Sequence, residues 1–319
     1  TIKFSPLPRD IPREIPIFVC GLNLVRKKEK TNDRTMKTQQ LSLRLSIFSL
    51  LWLCVWTNAW AQADPPMMKI ISYNIRLGVA DDGANSWEHR REATLRMLER
   101  EAPTVFGIQE GYLFQVKYIE ENLPQYGRVG VGRDDGKEGG EIMAVFYLRD
   151  RYDLLDHGDL WLSETPDRVS RGWDGACNRT MTWVHLREKA TGKEFYYFNT
   201  HLDHKGVVAR REGVKLVVRE VQQIAGRKAA VVVGGDLNST IDDRIFDPLK
   251  KFMTPAREKA PVTDRKGTYN GWGQAPNSMV IDHLFVRNMK CLSYRTLDGD
   301  YGVPYISDHY PIEIVVRLK

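Results

Sequence analysis

The sequence predicts an α/β fold in one large domain, and three observations carry the prediction. Eight strand-like apolar runs alternate with segments of helical periodicity. No internal repeat, low-complexity tract or linker breaks the chain after its N-terminal leader. Several runs end abruptly in Asn, Glu, His or Asp, and polar groups at strand ends are where α/β enzymes build their sites.

The elements follow in order. Met68–Asn74 and Thr104–Gln109 read as strands. Between them, Trp87 to Arg100 places Trp87, Leu95 and Leu98 on one side of a helix. Gly111 to Asn122 is a weaker helix, ended before Pro124. Ile142–Leu148, Thr180–Arg187 and the aromatic Glu194–Thr200 read as strands. Val207 to Gly226 carries Val214, Val217, Val218, Val221 and Ile224 at helical spacing, and Gly226 supplies the stop. Ala229–Gly234, Ile281–Val286 and Tyr310–Arg317 complete the set. Periodicity alone gives α/β and no finer architecture.

The net charge of +6 suggests a polyanion partner, but its distribution does not. Residues 1–61 carry ten Lys/Arg and four Asp/Glu, which leaves 37 of each sign in the remainder. A neutral body gives no broad basic footprint for a long nucleic acid. The leader reads as three parts. Residues 1–35 precede the first methionine and are expected to be a non-functional upstream extension. Met36 to Ala61 has a basic start (Lys37, Arg44), an apolar stretch from Leu45 to Trp56, and Ala59-Trp60-Ala61 as a small-x-small cleavage site. That is a signal-peptide pattern, with an uncleaved anchor as the alternative. The functional domain is then 62–319, in the periplasm or outside the cell. Cys177 and Cys291 survive cleavage; a disulfide and two free thiols both remain open.

Two dense polar clusters stand out. Gly235-Asp236-Leu237-Asn238-Ser239 follows an apolar run, and Ser307-Asp308-His309-Tyr310-Pro311 precedes one. Hard oxygen ligands beside a proton-transfer group make a kit for metal-assisted hydrolysis of a phosphate ester. Asn74, Gln109-Glu110 and the string Asn199-Thr200-His201-Leu202-Asp203-His204 end three further strand-like runs. A lone acid after a strand is usually a cap; five such clusters in series are not.

The ordered series Asn74, Glu110, His201, Asp236/Asn238, Asp308/His309, with Asp282 in Ile281-Asp282-His283, resembles the endonuclease/exonuclease/phosphatase superfamily over Met68 to Lys319. The resemblance implies a DNase I-like four-layer sandwich, with two packed mixed β-sheets flanked by helices. It implies Glu110 as ligand of a Mg²⁺ or Mn²⁺ ion, with Asp308 as a second metal-site carboxylate and Asn74 in support. It implies Asp236 as the residue that positions the attacking water, with His201 on the scissile phosphate and Asn238 on that phosphate or a metal. His309 becomes the proton-transfer residue, oriented by Asp282. A His rather than a Tyr at 201 points away from the DNA-repair branches.

Arg179, Lys205 and Arg210 are candidate phosphate clamps, although each also reads as a solvated cation. Trp272, like Trp173, lies in a Gly-rich loop where it could stack on a sugar or base or pack in the core. Asp203 and His204 are supporting candidates. The expected function is a secreted metal-dependent phosphodiesterase or phosphatase. Its substrate would be a phosphorylated small molecule, a lipid head group or nucleic acid. The chain is expected to act as a monomer without a stable protein partner. A nonspecific secreted nuclease and a catalytically inactive binding module are the alternatives. A zinc hydrolase is disfavoured, since no His-x-x-x-His or Cys-x-x-Cys spacing appears.

Overall fold

A computed structural model describes residues 66–319. The leader and its proposed cleavage site lie outside the described residues. Among those described, twelve strands form two six-stranded sheets. In chain order the strands are β1 (Met68–Asn74), β2 (Val105–Gln109), β3 (Tyr126–Val129), β4 (Val145–Leu148), β5 (Tyr152–Trp161) and β6 (Thr180–Glu188). They continue as β7 (Glu194–His201), β8 (Ala230–Asp236), β9 (Thr254–Pro255), β10 (Asp282–Arg287), β11 (Met289–Thr296) and β12 (Ile312–Leu318). The main helices are α1 (Trp87–Glu101), α2 (Leu113–Asn122) and α3 (Val207–Ala225), followed by the short α4 (Asp247–Phe252) and α5 (Ala256–Lys259).

One sheet runs β11-β12-β1-β2-β4-β3 and the other β5-β6-β7-β8-β10-β9. Each is antiparallel except for one internal parallel pair, β1 with β2 and β7 with β8. A parallel pair needs a long crossover, and α1 and α3 supply it. The two sheets are therefore built alike. In each, two neighbouring strands point their C-terminal ends the same way, and those ends carry the polar clusters.

The alternation of side chains makes the layers. Ile70, Val105, Phe195, Val232, Leu284 and Ile314 pack between the sheets in one core. Their neighbours Ile71, Phe106 and Ile108 face outward onto Met97 and Leu98 of α1 and Val116 and Ile119 of α2. On the other sheet Val231, Val233 and Phe285 face Val214, Val217 and Val221 of α3. Both faces of the inner strands are covered, which is why they read as continuous apolar runs. The expected two-sheet sandwich with flanking helices is thus the fold.

Two details differ from the sequence reading. The buried side of α1 is Trp87, Arg90, Ala93, Thr94, Met97, Leu98 and Glu101, with Leu95 only half-buried at its margin. The fourth strand begins at Val145, because Ile142 instead bridges Gly111 and Gly132 across a loop. Cys177 and Cys291 are both free thiols, and only Cys291 is buried.

A polar network is sealed inside the inter-sheet core. Gln109 Nε2 of one sheet donates to Asn199 Oδ1 of the other at 2.6 Å. Asn199 Nδ2 returns two bonds, to the carbonyls of Ile108 and Ala144. Both side chains are fully buried. Gln109 Oε1 is left without a partner, so the network is only partly satisfied, and the bonds it does make are available in one register of the two sheets.

Candidate active site

The strand ends meet in one cleft of about 640 Å³. Three of the residues that carry it sit in left-handed backbone: Arg76 (φ 57°), Glu110 (φ 62°) and Asn238 (φ 47°), each just past the end of a parallel strand. Non-glycine residues hold this conformation at a cost, and it persists where surrounding structure enforces it. Gly235 has no side-chain option, because a Cβ there would lie 1.8 Å from the Thr200 carbonyl oxygen. Its φ of 142° lets β8 run against β7 up to Asp236.

Asn74 is the hub. Its Nδ2 donates to Glu110 Oε1 and to Asp236 Oδ2, both at 3.0 Å, while its Oδ1 accepts from the Arg76 amide. In this geometry Asn74 holds two carboxylates together and turns its oxygen away from them. The second oxygen of Glu110 accepts from the Leu77 amide. Asp236 Oδ1 accepts from the Asn238 amide at 2.9 Å.

Two histidines flank Asp236. His309 Nε2 lies 3.6 Å and His201 Nε2 3.3 Å from Asp236 Oδ2. They differ in protonation. His309 Nδ1 donates to Asp282 Oδ2 at 2.9 Å. Burial opposes charge on His309, but Asp282 and Asp236 outweigh it and push the imidazole up to about 10. His201 takes the opposite course. Burial, then Arg179 and Arg133, hold it well below its ordinary value. Asn238 Nδ2 donates to His201 Nε2, which leaves the proton on Nδ1, 3.9 Å from Glu141 Oε2. Burial also pushes Asp236 and Asp308 above the usual carboxylate range.

The remaining expected residues are placed as follows. Asp308 accepts from Ser307 Oγ and lies 3.8 Å from the Arg76 guanidinium. Arg179 lines the cleft, bonds His204 Nδ1 at 2.9 Å, and lies near Asp203 and Glu141. Lys205, Arg210 and Trp272 are not among the lining residues. Lys205 is exposed. Arg210 donates to the Asp203 carbonyl, and Trp272 stands over Arg90 and Tyr305. Sequence reasoning missed Arg76, Arg133, Glu141 and Tyr269, all of which line the cleft. They lie in loops. Arg76 follows the Met68–Asn74 run and Glu141 precedes the Ile142–Leu148 run, but neither stands in a dense polar cluster like the others, and Arg133 was marked only by the Gly-rich string Gly130 to Glu141.

Which residues fit a metal ion follows from the donors. Ligand atoms of Glu110, His201 and Asp236 lie within 4.8 Å of one another. Three cleft carboxylates, Glu110, Asp236 and Asp308, stand near the charged His309, and burial already strains two of them towards neutrality. The donors at this spot are mainly hard oxygens. Such donors fit a hard divalent cation beside Glu110. Two other groups fit less well. Asp236, Asp282 and His309 already satisfy one another through the His309–Asp282 bond. Cys177, Asp203 and His204 surround the Arg179 cation, and Asp203 is filled by backbone amides of Ala176, Lys205 and Gly206.

A four-layer sandwich with an Asp between two histidines and an oxygen-rich cation site defines a class of phosphate-processing proteins. The chain belongs to the endonuclease/exonuclease/phosphatase family, whose profile matches residues 71–309. It is similar to an endonuclease/exonuclease/phosphatase of Bacteroides vulgatus, with 32% identity over 80% of this chain and 100% of that one, at a TM-score of 0.76. It is also similar to a mannosyl-6-phosphatase of Bacteroides thetaiotaomicron, with 34% identity over 78% of this chain and 99% of that one, at a TM-score of 0.75. An uncharacterized protein of Acanthamoeba polyphaga mimivirus is 26% identical over 78% of this chain and 99% of its own length.

Proposed function

We propose that this protein is an exported, divalent-metal-dependent hydrolase of phosphate esters. The observation that carries the reading is Asp236 between a charged His309 and a neutral His201. Asp236 is the group placed to take a proton from an attacking water and to aim its oxygen at phosphorus. His309, charged and aimed at the same point, supplies a proton or a charged hydrogen bond to the phosphoryl oxygens. Asn238 fixes His201 as a neutral ring, and Asn74 keeps Asp236 from rotating away. When bound beside Glu110 and Asp308, a divalent cation supplies charge neutralisation for the phosphoryl and leaving oxygens.

A phosphorylated small molecule is the substrate class we favour. The similar mannosyl-6-phosphatase supports it. So does the charge pattern: the cleft's cations, Arg76, Arg133 and Arg179, are at least half-buried around one spot, where a long polyanion would need an exposed basic track. Export rests on the leader sequence alone.

The test is hydrolysis of p-nitrophenyl phosphate, bis-p-nitrophenyl phosphate, mannose 6-phosphate and plasmid DNA, each with Mg²⁺, Mn²⁺ or EDTA. Metal-dependent turnover that is lost in Asp236→Asn supports the reading. Cleavage of DNA alone would replace it with the nuclease alternative. Turnover of none would favour a binding module.

A further inference from the structure

A second cavity, of about 430 Å³, lies behind the catalytic cleft and shares no lining residue with it. Its volume falls in the range of small-molecule sites. The wall between the two is one chain thick. Ser239 and Thr240 line the cleft, while Ile241 lines the rear cavity. Met279 and Ile281 line the cleft, while Val280 between them lines the rear cavity. Asp282 bonds His309 on the catalytic side, while its neighbour His283 lines the back. The two segments are joined by a bond from the Leu237 amide to the Ile281 carbonyl. Neighbouring residues of these two segments thus serve two compartments.

The rear cavity has a mostly apolar wall, formed by Ile241, Pro255, Val280, Leu284 and the Tyr294 ring. Its charged members, Arg257, Glu258, Asp264 and Arg265, cancel in sign. Thr263 and His283 add uncharged polar groups to the wall. His283 is 6% exposed, and its Nε2 donates to the Ser239 carbonyl at 2.9 Å. Only a protonated nitrogen bonds a carbonyl, so Nε2 holds the hydrogen. Burial pushes this imidazole down to about 4, so at neutral pH its Nδ1 is a bare acceptor. Among the described residues Nδ1 has no protein partner. Nδ1 is not sealed off, unlike the unpaired Nδ1 of His201, so a hydrogen-bond donor that enters the cavity can reach it.

We infer that the rear cavity binds a compact, mainly apolar molecule carrying one O–H donor, a phenol or an alcohol, with the hydroxyl on His283 Nδ1. A net charge on the ligand finds no net countercharge there. The bond polarises the imidazole and strengthens its hold on the Ser239 carbonyl, because linked hydrogen bonds reinforce each other. Ser239 is next to Asn238, so occupancy of the back stiffens the loop that orients His201.

The probes are 2-naphthol and 2-methoxynaphthalene, which share a body but not a donor. Titrated into the purified chain, 2-naphthol is expected to bind saturably at one site, with NOEs to the Val280 and Leu284 methyls. The methoxy analogue is expected to bind about tenfold more weakly, the scale of one hydrogen bond. Val280→Trp fills the cavity and is expected to abolish binding. Saturating 2-naphthol should slow amide exchange from Asn238 to Ile241. Equal affinity for the two probes, or NOEs only to cleft residues such as Tyr269, would overturn the site, as would the absence of saturable binding. Unchanged exchange in that loop with binding intact would overturn the coupling. The NOE readout needs only the wild-type chain, so a misfolded Val280→Trp leaves the test standing.

Discussion

Asp282 and His309 are bonded at 2.9 Å across the mouth of two different sheets. Asp282 opens β10 in one sheet, and His309 stands three residues before β12 in the other. The carboxylate sets both the ring's orientation and its charge. Asp282→Asn keeps a polar partner of the same shape and removes the charge. His309 is then expected to titrate well below 10, and kcat/KM for a phosphate ester to fall by about 10²–10⁴-fold at neutral pH. A ¹⁵N–¹H titration of His309 and the steady-state rate check the two halves. An unmoved titration would mean that Asp236, not Asp282, holds the charge on the ring.

Glu110→Gln should act on the cation rather than on the fold. With a hard-oxygen site, losing one carboxylate should weaken Mn²⁺ binding by about 10–100-fold, read by calorimetry. The rise in melting temperature that saturating Mn²⁺ gives the wild type should shrink with it. EDTA should lower the wild-type melting temperature and leave Glu110→Gln nearly unaffected.

His283 predicts an acid-side loss of stability. Its folded value is lowered to about 4, against an ordinary 6.5. Below 6.5 the unfolded chain binds a proton that the folded chain refuses. The contribution is therefore complete above 6.5 and is lost as pH falls towards 4. The shift corresponds to roughly 3 kcal/mol at the limit. In urea melts from pH 7 to pH 4, His283→Gln should lose less stability than the wild type. Parallel curves would show that the ring protonates without cost.

Arg90 is a buried cation on a helix that appeared amphipathic. Its side chain is 1% exposed and donates to the carbonyls of Ile75, Arg76, Asn85 and Ile306. It ties the loop after β1 to the loop that carries Asp308 and His309. Arg90→Met leaves those carbonyls unpaired and should cost on the order of 3 kcal/mol in denaturant melts. Activity should fall further than the folded fraction alone explains, since both loops bear site residues.

The eight strands legible in the sequence are the eight interior strands of the two sheets. The four that escaped, β3, β5, β9 and β11, are their four edges. An interior strand is buried on both faces and reads as an apolar run. An edge strand is mixed, as in Tyr152–Trp161 with Asp153, Asp156, His157 and Asp159, because polar edges discourage pairing with other chains. The site divides in the same way. Residues attached to interior strands, from Asn74 to His309, were found through the run beside them. Arg133 and Glu141 sit in a Gly-rich loop, and only folding brings Glu141 within 3.9 Å of His201.

The Gln109–Asn199 bond has a consequence for how the chain tolerates change. Half of the catalytic groups ride on one sheet and half on the other, so the slab between them is the ruler that spaces the chemistry. A slip of about 1 Å can cost 10²-fold in rate while leaving burial nearly intact. Sequence drift in that slab would accordingly be policed by turnover before it was policed by folding. A library of inter-sheet substitutions sorted for activity should retain Gln109 and Asn199 more strictly than one sorted for solubility.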